Sequence, residues 1–244
     1  MKNFYFNIQS KGGAGKSMLT YLLALKHEEN QQTAFIDLDS ATHTSSKQLR
    51  FLDKEKYRLF EVDILDEIKK IEREKLFSVL EMSNQMEFEN FYIDFGAAES
   101  EQLLRLLSMD FTIAEFKEFE SLIDAKIIFN VIMAGGTSYV ACFDYLKQLV
   151  DLLDGQFPVY IYANEFTFKN QRGLIEELED FKDRSFNTIQ EVIPFGNLYP
   201  ERVSSLQITE NMKAGKGKAG FTSFAAKIIL RKEILKLDAG TKNN

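Results

Sequence analysis

Residues 8–18 read Ile-Gln-Ser-Lys-Gly-Gly-Ala-Gly-Lys-Ser-Met, with Gly12, Gly13 and Gly15 and the two lysines Lys11 and Lys16 set between apolar runs. Upstream, FYFNI (4–8) has the composition of a short buried strand; downstream, SMLTYLLALKH repeats its apolar residues at helical spacing. A strand that turns abruptly into a helix through glycines can point several backbone N–H groups at one place, because no Cβ blocks the approach. The helix that begins near Lys16 adds the positive end of its dipole, so the stretch is built to hold phosphate. Gly12, Gly13, Ala14, Gly15, Lys16, Ser17 and Met18 are the expected phosphate contacts, with Lys16 reaching the outer phosphates and the Ser17 hydroxyl available to Mg2+. The strict phosphate-loop pattern G-x-x-x-x-G-K-[ST] fails only at its first position, where Ser10 stands.

Outward from the loop, strand-like and helix-like segments alternate. TAFIDLD (33–39), RLFEV (58–62), FYIDFG (91–96), KIIFNVIMAGG (126–136), FPVYIYAN (157–164) and TIQEVIPFG (188–196) read as strands. Helices are expected over 63–82 as one long charged segment, from about Glu99 to Leu107, over SYVACFDYLKQLVDLL, over GLIEELEDF, and at about 221–237. This alternation predicts an α/β fold, a three-layer doubly wound and mainly parallel sheet with helices on both faces. No repeat or Pro/Gly-rich linker divides the chain, so residues 1–244 are expected to form one domain, with about 238–244 a flexible tail. In such a sheet ligands bind beyond the carboxyl ends of the strands, where the glycine loop lies.

Composition narrows the chemistry. Cys142 is the only cysteine and His27 and His43 the only histidines, which excludes internal disulfides, Cys-rich zinc or iron–sulfur sites and a His-based metal cage. The formal charge of −7 argues against a surface that is basic all over. No apolar run approaches membrane-spanning length, and the first residues carry no signal-peptide pattern, so a cytoplasmic protein is expected. The 22 phenylalanines and the EFKEFESL run are read as core and helix faces rather than as a cofactor site.

Lys11 is more than a phosphate loop requires. With it, KGGAGKS resembles the deviant Walker A motif, KGGxGK[ST], of the ParA/MinD family of ATPases. FIDLD, with Asp37 and Asp39, is similar to that family's D-x-D strand; FYIDF, with Asp94, is similar to its Walker B strand. VYIYAN, ending in Asn164, and EVIPFG, with Pro194, resemble the two late strands that bracket the base. The resemblance in order and spacing spans roughly residues 3–235 and implies a P-loop ATPase with ATP and Mg2+ as cofactors. It implies catalytic roles for Lys16, for Asp39, at the end of the strand expected beside the loop, as the residue that orients the attacking water, and for Lys11, reaching the nucleotide of a second subunit in an ATP-bound homodimer. Ser17, Asp37 and Asp94 would serve the metal, the two aspartates through its waters; the competing reading of each aspartate is a helix cap or loop carboxylate. Adenine as the base rests on the resemblance alone. Two departures fall in the switch loops: Ser40-Ala41 where the family often has Pro-Gln, and Phe95-Gly96-Ala97-Ala98 where a proline often follows the Walker B aspartate. They bear on hydrolysis rate and subgroup more than on binding.

Charge is unevenly spread. Residues 213–244 carry a net charge of +6, which leaves −13 on the remainder. Lys213, Lys216 and Lys218 lie in KAGKGKAG, read as a flexible basic loop, and Lys227, Arg231 and Lys232 lie on the last helix; together they are the candidate non-specific DNA contacts. Three functions follow. The first is a small ParA-type ATPase of plasmid or mobile-element partitioning or conjugative transfer, with a hydrolysis-stimulating partner protein and no DNA-binding domain ahead of the first strand. The second is a MinD-like positioning ATPase acting at a membrane or on a protein partner rather than on DNA; the membrane form is disfavoured because DAGTKNN is polar and because Ile228, Ile229, Ile234 and Leu235 are expected to face the core. The third is a cluster-carrying relative, which Cys142 alone cannot supply.

Overall fold

The structure, a computed structural model, describes residues 1–40, 43–52, 57–68, 70–198 and 202–238. Seven strands form one sheet: β1 (Lys2–Ile8), β2 (Thr33–Asp37), β3 (Leu59–Glu61), β4 (Asn90–Asp94), β5 (Ala125–Met133), β6 (Val159–Asn164) and β7 (Ile189–Phe195). Their order is β3-β2-β4-β1-β5-β6-β7, and every adjacent pair is parallel. The helices among the described residues are α1 (Lys16–Lys26), α2 (Thr44–Leu49), α3 (Arg73–Gln85), α4 (Ala97–Arg105, prolonged by a wider turn over Leu106–Asp110), α5 (Ile113–Leu122), α6 (Tyr139–Leu153), α7 (Arg172–Arg184), α8 (Val203–Lys213) and α9 (Phe224–Lys236).

Crossover handedness distributes these helices. The chain moves one way along the sheet through α1 and α2, and the opposite way through α3, α4, α5, α6 and α7, so right-handed connections put the two groups on opposite faces. Helices α8 and α9 join the α1 face: the Tyr21 hydroxyl donates to the Lys216 carbonyl at 2.6 Å, and Arg50, just past α2, donates to the Ala214 carbonyl at 2.7 Å. The expected doubly wound α/β architecture is therefore present. Strand β1 leads towards β2 while its neighbour β5 leads towards β6, so the carboxyl ends of β1 and β5 form the crevice at which the sheet reverses direction.

Phenylalanines fill the central strands. Phe4, Phe6, Phe91, Phe95 and Phe129 are fully buried, with Phe4 stacked on Phe91 at 5.1 Å and Phe6 against Phe95 at 5.0 Å between ring centroids. Within EFKEFESL, now part of α5, Phe116 is buried and Phe119 packs edge-on to Phe77 of α3, so that run is helix face and core as the sequence suggests.

Four sequence expectations are corrected. The single helix over 63–82 does not form: α3 begins only at Arg73, and residues before it make a turn bridged by Leu65 and Ile71. Asp63 accepts from the Leu65 N–H and Asp66 from the Ile68 and Lys70 N–H groups, local bonds that compete with helix formation. KAGKGKAG is not a free loop, because the Lys218 N–H is held by the Glu28 carboxylate at 2.7 Å and Gly215 (φ +58°) packs so closely on Lys47 and Arg50 that a Cβ would collide with them. The apolar stripe of α9 also differs from expectation. Ala226, Leu230 and Leu237 are buried, Ile229 and Ile234 pack partly, and Ile228 and Leu235 are exposed. Strand β2, which precedes Asp39, is not beside the loop strand: β4 lies between them. Helices α2 and α8 carry too few apolar repeats to be found from periodicity. Residues 239–244 of the expected tail, and Ala41, lie outside the described residues.

Candidate functional site

The glycine loop leaves the carboxyl end of β1 and enters α1 through Gly15, whose φ of +113° is a conformation that side chains disfavour. A Cβ there would sit 2.6 Å from Asn164 Nδ2, the nitrogen that donates to the Ala14 carbonyl at 3.0 Å. Asn164, at the end of β6, therefore supports the loop from below. Gly15→Ala is expected to break that support, lower stability by about 2 kcal/mol and weaken MgATP binding at least tenfold. A parental urea midpoint and parental affinity would contradict this.

Gln9 is a second support, and the sequence did not single it out. Its fully buried amide donates to the Ile132 carbonyl at 2.8 Å and accepts from the Lys11 N–H at 3.2 Å, while its own N–H donates to Ser100 Oγ. These bonds tie the loop to β5 and α4. Lys16 Nζ donates to the Gln9 carbonyl at 2.7 Å. Burial lowers the Lys16 pKa, and the nearby carboxylates of Asp94, Asp39 and Glu99 act against that.

Asp94 closes β4, the strand hydrogen-bonded to β1, so its carboxylate comes to the loop. Ser17 Oγ lies 3.5 Å from Asp94 Oδ2, which also accepts from the Ser45 hydroxyl. Its Oδ1 is buried and accepts no hydrogen bond among the described residues. Burial, with Asp37 adding to it, pushes the Asp94 pKa up to about 7. Asp37 is placed differently from the aspartate beside it in this role: its oxygens accept the Ser46 N–H at 2.7 Å and the Asp39 N–H at 3.0 Å, holding the first turn of α2. Burial raises its pKa also. Asp39 lies two residues beyond β2 in the mouth of the site.

A cleft of about 550 Å³ opens over these groups, lined by Gly12, Gly13, Lys16, Ser17, Asp39 and Glu99 among others. Cβ atoms on Gly12 or Gly13 would meet nothing within 4 Å, so the backbone there faces open space. A hydroxyl and a carboxylate with an unshared buried oxygen form a hard-oxygen pair suited to Mg2+. Among the described residues no group of three or more His, Cys, Asp or Glu side chains could hold a metal by themselves. A recess of similar volume, about 540 Å³, between α3 and the turn after α4 is lined by charges such as the Arg73–Asp110 pair and lacks any glycine loop.

Other expected residues lie farther off. Met18 packs near Gly196, whose Cβ would fall 3.3 Å from its sulfur and 3.1 Å from Asn164 Oδ1. Pro194 is exposed on β7, an edge strand, where a missing N–H is tolerated. Lys11 is exposed at the mouth of the loop. Lys213, Lys216, Lys227, Arg231 and Lys232 are exposed, and Lys218 is half-buried beside Glu29 at 3.5 Å. Ser45, Glu99 and Gln9 are functional candidates that sequence reasoning missed; no spacing within the chain signals them, because their bonds to Asp94, Ser40 and Ser100 span 49, 59 and 91 residues.

No protein-family model matches the chain, and no curated protein does. Solved structures do. The MinD cell division protein of Aquifex aeolicus aligns over 98% of both chains with a TM-score of 0.55 and 15% identity. A plasmid partition protein from Borrelia burgdorferi aligns over 95% of this chain and 99% of its own, with a TM-score of 0.50 and 16% identity. A Borrelia burgdorferi B31 chain named for plasmid partition and bound to AMPPNP aligns over 98% of both chains, with a TM-score of 0.52 and 15% identity. The fold is thus that of the MinD cell division protein and the plasmid partition proteins.

Proposed function

We propose that this chain is a MgATP-dependent switch that dimerises around ATP, hydrolyses it slowly, and acts in partitioning plasmid or mobile-element DNA or in conjugative transfer. The observation that carries the reading is the convergence of the glycine loop, Lys16 and Ser17 on one cleft at the carboxyl end of β1, with Asp94 buried beside it, 3.5 Å from Ser17 Oγ. In this reading the loop amides and Lys16 grip the β and γ phosphates, and Asp39 orients a water in line with the γ-phosphorus. Ser17 and Asp94 would hold Mg2+, which when bound neutralises phosphate charge. Asp37 acts by holding α2 and the loop that carries Asp39. The AMPPNP-bound neighbour supports a triphosphate ligand.

Lys11 supplies the dimer contact. Its side chain is exposed in the glycine loop, and among the described residues no arginine lines the cleft to do that work within one chain. Exposed Lys227 and Arg231, one helical turn apart on α9, with Lys232 and Lys213, form the DNA-facing surface. A partner protein that stimulates hydrolysis completes the cycle. The test combines light scattering with a DNA shift assay. The parent is expected to double its mass with MgATP and to retain DNA only then, with retention falling steeply as salt rises. Lys11→Ala is expected to bind MgATP and stay monomeric; a Lys11→Ala chain that dimerises like the parent refutes the role.

One observation favours a second reading. Phe224, Ile228 and Leu235 are exposed on α9 beside its basic residues, a mixture that also suits an anionic membrane surface, as in a MinD-like positioning ATPase. No helix among the described residues is long and apolar enough to cross a membrane. Cosedimentation with anionic vesicles and MgATP, without DNA retention, would select this alternative.

A further inference from the structure

We propose that Glu99 is a positioning residue for hydrolysis, a clamp that joins the loop after β2 to the start of α4 and thereby sets Asp39; the inference rests on the MgATP reading above. Glu99 stands in the first turn of α4 and is only 1% exposed. Its Oε1 accepts from the Ser40 N–H at 3.2 Å, a donor shared with the Leu38 carbonyl at 3.0 Å. Ser40 is the neighbour of Asp39, so this bond fixes the peptide on which Asp39 is carried. Asp39 and Glu99 line the same cleft.

Gly96 makes the arrangement possible. A Cβ there would fall 2.1 Å from Glu99 Oε2 and 3.0 Å from Asp39 Oδ1, so the two carboxylates close on one bare Cα. Glu99 Oε2 is buried and takes no hydrogen bond among the described residues. A buried carboxylate oxygen without a partner is costly, and simple helix capping gives no reason to place one here. Ser100, next along α4, holds the Gln9 N–H at the root of the glycine loop. One turn of α4 therefore touches both the phosphate loop and the loop of the water-orienting aspartate. The clamp would move Asp39 relative to the γ-phosphate without touching reactants itself.

Single-turnover hydrolysis and equilibrium MgATP binding on the full chain test this. Glu99→Ala is expected to slow hydrolysis about 10- to 100-fold while MgATP affinity changes less than about threefold, since misplacing a catalytic group harms chemistry more than binding. Glu99→Gln keeps the acceptor for Ser40 and is expected to recover most of the rate; Glu99→Asp keeps the charge, loses the reach, and is expected to resemble alanine. In an Asp39→Ala background, Glu99→Ala should change the residual rate less than about twofold, because it acts through Asp39. Losses that multiply, a Gln variant as slow as Ala, or a Glu99→Ala chain at the parental rate overturn the clamp. Should Glu99→Ala fail to fold, the Gln and Asp variants decide by the same criteria. A parent without hydrolysis, or an Asp39→Ala chain as fast as the parent, refutes the proposed function and the clamp together; a normal parent and a slow Asp39→Ala beside an unaffected Glu99→Ala refutes the clamp alone.

Discussion

Lys16→Ala is expected to reduce MgATP hydrolysis on the order of 10³-fold and MgATP affinity at least tenfold. Lys16 is the cation at the floor of the cleft, and Asp94, Asp39 and Glu99 all lie close enough for their charges to act on it. Without it a triphosphate would meet carboxylates with only the loop amides and the metal to offset them. Lys16→Arg is expected to fail nearly as badly. Lys16 is half-buried and its ammonium points to the Gln9 carbonyl, and a planar, bulkier guanidinium does not fit a point-charge site. Titration with labelled MgATP and a phosphate-release assay check both variants. A Lys16→Ala chain that binds MgATP within twofold of the parent contradicts the role.

Asp94→Asn is expected to give a more stable protein that no longer hydrolyses ATP in a Mg2+-dependent manner. The Asp94 carboxyl titrates at about 7 in the folded chain against an ordinary value of 3.8, because burial penalises its charged form. Its folded pKa is therefore raised. The stability it contributes is fully present below about pH 4 and is lost as pH rises from there towards 7, since the folded chain keeps a proton that the unfolded chain sheds. A neutral asparagine of the same shape removes that dependence. Without nucleotide, Asp94→Asn should be more stable than the parent by about 2 kcal/mol at pH 8, with the difference shrinking towards pH 4. The same change should cut hydrolysis at least 100-fold, because the asparagine offers the metal no charge. Chemical denaturation at pH 4.5 and pH 8, beside hydrolysis with and without Mg2+, reads both effects. Lower stability at pH 8 would mean that Asp94 serves chiefly to hold Ser45.

Much of the site was legible because its residues are close in sequence or sit at strand ends. Gly12 to Ser17 specify their own conformation, and Asp37, Asp94 and Asn164 end apolar runs that could only be buried strands. The roles were harder to read than the positions. Asp37 and Asp94 face each other across adjacent parallel strands in register, yet one carboxylate holds the first turn of α2 and the other keeps a buried oxygen that accepts no hydrogen bond among the described residues. The charged run from 63 misled because helical composition was outweighed by Asp63 and Asp66 bonding their own neighbours' N–H groups.

By itself the sequence determined the glycine loop, the alternation that forces a parallel sheet, and the carboxyl-end address of the carboxylates. These depend on backbone freedom and on periodicity, which act over a few residues. Only the tertiary structure decided that β4, not β2, lies against β1. It alone tied Gln9 to β5 and Asn164 to the loop, and laid the Asp39 carboxylate against the bare Cα of Gly96. Those contacts join segments tens to more than a hundred residues apart, and their energies depend on burial and hydrogen-bond geometry that exist only after the sheet has assembled.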